Sequence, residues 1–206
     1  MVEHRPEEAG VPGSSPGPST ITKMNITFIT GNVAKAEQLG RHLNHPVSHT
    51  KLNLAEIQSL DLHEIIEHKT KEAHKQVGGI VLVEDTSLTF NALGRLPGPL
   101  IKWFLTELDN AGLCKLLDAY DDRSAVAEVC FGLYDGKELK MFGGKTRGSI
   151  APSPCGESGF GWDPIFIPEG HEKTWGEMET EEQKETSMRR IALQKLEHVL
   201  KEAVRG

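Results

Sequence analysis

Apolar positions along the chain switch between two periods, and each switch marks a change of element. Residues 23–30 (KMNITFIT) are rich in β-branched side chains and predict a strand that ends on Gly31-Asn32. Beyond it, Ala36, Leu39, Gly40 and Leu43 recur at spacings of three and four, the mark of a helix face, and Pro46 stops the run. Residues 47–54 predict a second strand. Asp61, with Glu64 three residues later, has a capping-box pattern and opens a helix toward Val77. The apolar stripe of that helix is Leu62, Ile65, Ile66, Ala73 and Val77, and Gly78-Gly79 close it. Residues 80–83 (IVLV) form an unbroken apolar run, as a strand covered on both faces requires.

Pro97-Gly98-Pro99 predicts a rigid loop. An apolar helix follows through Leu100, Ile101, Trp103, Phe104 and Leu108, then a shorter one near residues 113–117. Residues 125–134 and 139–142 flank Asp135-Gly136, a hairpin signal. A Gly/Pro/Ser-rich loop spans residues 151–161 and a short strand residues 165–167. The last helix carries Met188, Ala192, Leu196, Val199, Leu200 and Ala203 on one face. Helices interleaved with buried and paired strands predict an α/β fold, a mixed twisted sheet flanked by helices.

Composition changes the picture first at the N-terminus. Residues 1–20 hold four Pro, three Gly and three Ser with almost nothing apolar to bury, so residues 1–22 are expected to be a flexible tail. Residues 23–206 are then expected to form a single domain. Lys+Arg number 23 against 30 Asp+Glu, a net charge of −7, which argues against nucleic acid as the main ligand. No apolar run approaches a membrane span, so no membrane partner is expected. Three cysteines without a CxxC pair indicate neither a zinc ribbon nor a disulfide framework. With no signal or transit pattern, a cytoplasmic location is expected.

Four short segments could carry chemistry. Thr30-Gly31-Asn32, with Lys35 one turn into the helix, can cradle an anion; equally, Gly makes the turn and Asn caps the helix. Glu84-Asp85-Thr86 follow the buried strand, where a carboxylate can hold Mg²⁺ or take a proton from water, or can simply solvate a strand end. Neighbouring strand residues face opposite ways, so the two acids are not expected to share one role. Lys69 falls on its helix's apolar stripe and either reaches past it to solvent or meets a buried anion. Phe160-Gly161-Trp162-Asp163-Pro164 can stack on a flat base and bind its edge, or can pin a loop to the core. Gly143-Gly144-Lys145-Thr146 ends like a P-loop, but Leu139 stands where that pattern needs Gly.

Five ordered motifs then bear a resemblance. They are TGN-x-x-K (Thr30 to Lys35), LVEDT (Leu82 to Thr86), FNALG-x-LPGP (Phe90 to Pro99), IKWF (Ile101 to Phe104) and FGWDP (Phe160 to Pro164). Together they closely resemble the inosine triphosphate pyrophosphatase family, the Ham1-like nucleotidases, and its eukaryotic branch most. The resemblance implies hydrolysis of the purine nucleoside triphosphates ITP, dITP and XTP to the monophosphate and pyrophosphate, keeping them out of RNA and DNA precursor pools. It also implies Mg²⁺, with Mn²⁺ as a substitute, two lobes around a central nucleotide cleft, and a homodimer. Carried over by position, Glu56 and Asp85 would hold the metal, Asp85 with Lys69 would be catalytic, with Asp85 orienting or deprotonating the attacking water, and Asp85 and Thr86 would also contact substrate. Thr30, Gly31, Asn32, Lys35 and Lys69 would hold the triphosphate, with Lys102 nearby. Phe160, Gly161, Trp162 and Asp163 would hold the purine.

One segment departs from the family pattern, which after Glu-Met has a Lys and, four residues later, Ser-His-Arg. Counted from Glu177-Met178, Gln183 stands at the Lys position and Ser187-Met188-Arg189 at the other. Ser187 and Arg189 are retained for substrate, and the adjacent Lys184 is the expected substitute for the lost cation. Two alternatives follow: a weakened paralogue that binds nucleotide or acts through a dimer surface, or a triphosphatase of altered base specificity.

Overall fold

The computed structural model describes residues 25–43 and 47–205. The expected tail, residues 1–22, and the stop at Pro46 lie outside them. In chain order the elements are β1 (Ile26–Ile29), α1 (Val33–Leu43), β2 (Val47–Thr50), α2 (Leu62–Val77), β3 (Ile80–Phe90), β4 (Pro97–Gly98), α3 (Ile101–Lys115), β5 (Ser124–Tyr134), β6 (Leu139–Ile150), β7 (Phe166–Pro168), α4 (Thr180–Thr186) and α5 (Met188–Arg205). The strands form one sheet in the order β2-β1-β3-β5-β6-β7, with the short β4 also paired to β3. β1 runs parallel to β2 and β3, while every other pairing is antiparallel. This is the mixed sheet flanked by helices that the alternating pattern predicts.

β3 organises the molecule because its alternating side chains feed two separate cores. Val81 and Val83 pack with Leu62, Ile66 and Ala73 of α2. Leu82, Leu88 and Phe90 join the larger core, to which α1 contributes Leu39 and α5 contributes Ala192 and Leu196. At the start of α2 the Asp61 carboxylate accepts from the His63 and Glu64 amides at 2.9 and 3.4 Å. Glu64 does not close the expected box; its carboxylate accepts the Ser59 hydroxyl at 2.6 Å instead. Val77, counted on the apolar stripe, is exposed at the helix end.

Several boundaries differ from the sequence reading, each for a tertiary reason. β3 does not stop at Val83 but runs to Phe90, because β5 pairs with it continuously from Val81 to Phe90. Glu84, Asp85 and Thr86 are therefore mid-strand residues, not strand-end ones. β2 ends at Thr50, leaving residues 51–59 irregular. β6 continues through the glycine-rich run to Ile150, where β7 lies so close that a Cβ on Gly148 would strike the Ile167 carbonyl. The two helical stretches expected between residues 100 and 117 form one kinked α3, bent at Asp109 with φ 55°.

β3 also leaves a gap. Along the edge away from β5, pairing with β1 ends at Leu82 and pairing with β4 begins only at Leu88. The cleft opens there, beside Glu84-Asp85-Thr86. Among the described residues, no helix is long and apolar enough to cross a membrane.

Candidate nucleotide site

Strand alternation sends the two acids of β3 to opposite faces, as expected. Asp85 points toward α2, where Lys69 Nζ donates to Asp85 Oδ2 at 2.9 Å and to Glu56 Oε1 at 3.3 Å. Of its two options, Lys69 has taken the anions: its side chain is only 14% exposed. Burial is the largest influence on its ammonium and pulls the pKa down, but the Asp85 and Glu56 carboxylates together outweigh it. The result lies above the ordinary lysine value of 10.5. The Thr86 amide donates to Asp85 Oδ1 at 2.8 Å and fixes that carboxylate's plane.

Glu56 and Asp85 thus already converge on one cation, the Lys69 ammonium. Among the described residues, no group of three or more His, Cys, Asp or Glu gathers to hold a metal. Two acids suit Mg²⁺, which takes one or two carboxylates and completes its octahedron with water and phosphate oxygens. The donor set fits that ion and would not by itself hold a tetrahedral zinc.

Three cavities adjoin along this gap. The first, ≈ 460 Å³, is lined by Thr30, Gly31, Lys51, Glu56, Lys69 and Lys102, with Glu84 in its wall. Three lysines over a strand-to-helix turn give it the chemistry to attract a polyanion. Thr30 is tied down by its amide, which donates to the Thr50 carbonyl at 2.9 Å, and its hydroxyl accepts the Asn32 amide at 3.0 Å. Asn32 caps α1, accepting the Lys35 amide on Oδ1 at 3.1 Å. Gly31 lets the Lys51 side chain lie close, since a Cβ would stand 3.0 Å from it. Glu56 and Lys102 also border a second cavity, ≈ 750 Å³, which Asp85 and Trp103 enter.

A third cavity, ≈ 380 Å³, lies across Glu84 from the first. Phe160, Trp162 and Asp163 form one side, and Gln183, Ser187, Met188 and Arg189 the other, with Lys35, Thr86 and Lys184 at its rim. Lys35 therefore faces this cavity, its Nζ 5.7 Å from the Phe160 ring centre, and not the first one. The aromatic pair divides its two possible roles. Trp162 packs on the core, whereas Phe160 is 77% exposed and free to stack. Gly161 anchors the loop, its carbonyl accepting from Asn110 Nδ2 of α3 at 3.0 Å. Asp163 Oδ2 accepts the Phe160 amide at 2.6 Å and Gln183 Nε2 at 3.1 Å. Burial raises the Asp163 pKa, and these two donors oppose the rise without cancelling it.

Lys184, at the cavity rim, pairs with Glu181 at 2.6 Å. Arg189 instead grips Glu84, with Nε and Nη2 each 3.0 Å from a carboxylate oxygen. Lys51 was passed over in the sequence. Its signal is position: it directly follows the carboxyl end of a strand, where ligands of such sheets gather.

The match to known proteins agrees with this geometry. The Ham1 family model covers residues 26–199. The chain belongs to the Ham1 family. The Staphylococcus aureus Ham1 protein shares its fold, with a TM-score of 0.76 at 24% identity over 87% of this chain and 99% of that one. A HAM1 protein from Coxiella burnetii matches with TM-score 0.78 and 26% identity, again over 87% and 99%. A nucleoside-triphosphatase / dITP/XTP pyrophosphatase from Mycobacterium abscessus matches with TM-score 0.68 and 29% identity, over 84% of this chain and 98% of its own. This Ham1 protein therefore covers its relatives' length almost completely.

Proposed function

We propose that this Ham1 protein is a Mg²⁺-dependent nucleoside triphosphate pyrophosphatase that hydrolyses ITP, dITP and XTP to the monophosphate and pyrophosphate. The observation that carries it is the Lys69–Asp85–Glu56 cluster, set between a lysine-lined cavity and an aromatic-walled one. Lysines in the first cavity bind and neutralise the triphosphate, which is most of what phosphoryl chemistry asks of a protein. Asp85 holds the attacking water by one carboxylate oxygen and accepts its proton, and Lys69 keeps that carboxylate aimed. Glu56 and Asp85 would hold Mg²⁺, or Mn²⁺ in its place, which when bound supplies further charge neutralisation at the phosphates. Phe160 stacks on the base. Asp163 accepts the N1–H that a 6-oxo purine offers and adenine lacks, so an ionised Asp163 favours the former. The protein acts in the cytoplasm as a homodimer, and its motifs place it nearest the eukaryotic branch.

A second reading, altered base specificity or weakened catalysis, is favoured by Gln183 and Met188, which leave the base edge without the family's Lys and His. One assay separates the two: pyrophosphate release from ITP, XTP, dITP, ATP and GTP, with Mg²⁺ and with EDTA. Metal-dependent release favouring ITP and XTP supports the first reading. Comparable rates across bases support altered specificity, and no release from any of them refutes the first reading and supports weakened catalysis.

A further inference from the structure

We propose that Glu84 is a positioning residue that ties the base pocket to the phosphate cradle. The inference rests on the assignment of the two cavities made above. Glu84 belongs to both cavity walls, and its side chain is only 6% exposed. From the base side, Arg189 of α5 places Nε and Nη2 on its two oxygens at 3.0 Å each. Such a fork fixes the guanidinium plane as well as its position. The same guanidinium lies 5.6 Å from the Phe131 ring centre, which limits its tilt. From α1, Lys35 Nζ approaches Glu84 Oε1 at 3.7 Å, a single and longer contact. One carboxylate therefore holds Arg189 rigidly and Lys35 loosely on the base side, while its own charge stands in the wall of the lysine-lined cavity.

This unequal grip predicts effects of opposite sign. Without the Glu84 charge, Arg189 loses its fixed plane and binding of the base falls. The lysine-lined cavity meanwhile loses a carboxylate from its wall, so binding of a phosphate chain with no base does not fall. General loosening of the fold would weaken both.

The test is calorimetric titration of the full chain with IMP and with inorganic tripolyphosphate, comparing wild type, Glu84→Gln and Glu84→Asp. Glu84→Gln should weaken IMP about tenfold or more, the scale for truncating one partner of a buried charged pair. Its tripolyphosphate affinity should be unchanged or tighter. Glu84→Asp keeps the charge on a shorter arm and should recover part of the IMP affinity. It decides the matter alone if Glu84→Gln fails to fold. Equal weakening of both probes, or no change in either, overturns the role. If wild type releases pyrophosphate from ITP while the variants behave so, the proposed reaction stands and only this inference falls. A wild type with no such activity removes both.

Discussion

The Gln183 carboxamide donates to Asp163 Oδ2 at 3.1 Å, the same oxygen that accepts the Phe160 amide at 2.6 Å. A neutral donor thus stands where the family pattern has a cation, beside a carboxyl whose pKa burial has raised above 3.8. Between the ordinary and the raised value the folded state holds more protons than the unfolded one, so stability falls as pH climbs through that window. Asp163→Asn should flatten that slope in urea unfolding, and Gln183→Lys should lower the Asp163 pKa in a carboxyl NMR titration. No movement with Gln183→Lys would mean that the two side chains do not meet in solution.

Base selectivity should respond at the same place. Gln183→Lys combined with Met188→His should raise the ITP/ATP ratio of kcat/KM by about tenfold or more, the usual effect of restoring hydrogen-bond donors to a polar base site. An unchanged ratio would show that these two positions do not read the base.

Asp85→Asn should still fold, because Lys69 keeps Glu56 as a partner. Turnover should drop by at least about 10²-fold, the typical loss on removing a general base. Unaltered turnover in a pyrophosphate assay would exclude the assigned mechanism.

Lys69 also sets an alkaline signature. Its raised pKa contributes stability that is complete below the ordinary value of 10.5 and is lost as pH rises through the folded value. Lys69→Met should remove this alkaline decline. Unfolding midpoints measured on both sides of the ordinary value, in wild type and variant, would show it.

Phe160 is 77% exposed, so Phe160→Ala should change stability by no more than about 0.5 kcal/mol. It should nonetheless weaken nucleotide binding by about 1–3 kcal/mol, the worth of one stacked base. Loss of stability without loss of binding would return the residue to a purely structural role.

Gly159→Ala should act differently. Gly159 has φ 90°, and an added Cβ would fall 2.3 Å from Asp163 Oδ2. Backbone strain alone costs about 1–3 kcal/mol, and the displaced carboxylate should raise KM as well. A wild-type KM would mean that the loop adjusts without moving Asp163.

Much of this site was legible because it lies at element junctions with strong local signals: the Thr30-Gly31-Asn32 turn, the interrupted stripe at Lys69 and the aromatic loop. Alternation alone separated Glu84 from Asp85. Other features are not encoded locally. The apolar run stops at Val83, and it is continuous pairing with β5 that carries the strand through the four polar residues 84–87 and on to Phe90. The extension of β6 to Ile150 has glycines where strand formers would announce it, and at Gly144 and Gly148 a neighbour's backbone approaches too closely for a side chain. α4 has no buried residue and hence no apolar period to read. Lys184 lies at the cavity rim paired with Glu181, while Gln183 reaches Asp163, an arrangement that depends on where the turn of α4 falls and not on any apolar period.

The one-sided pairing of β3 has a mechanical consequence. Glu84 and Asp85 are bonded along one edge by the continuous ladder to β5, while their other edge is open. Admitting a nucleotide cannot involve the strand that bears the acids without breaking that ladder. The acids thus sit on a strand anchored by its ladder, while the residues that face them across the gap come in part from the irregular segments 51–59 and 151–162.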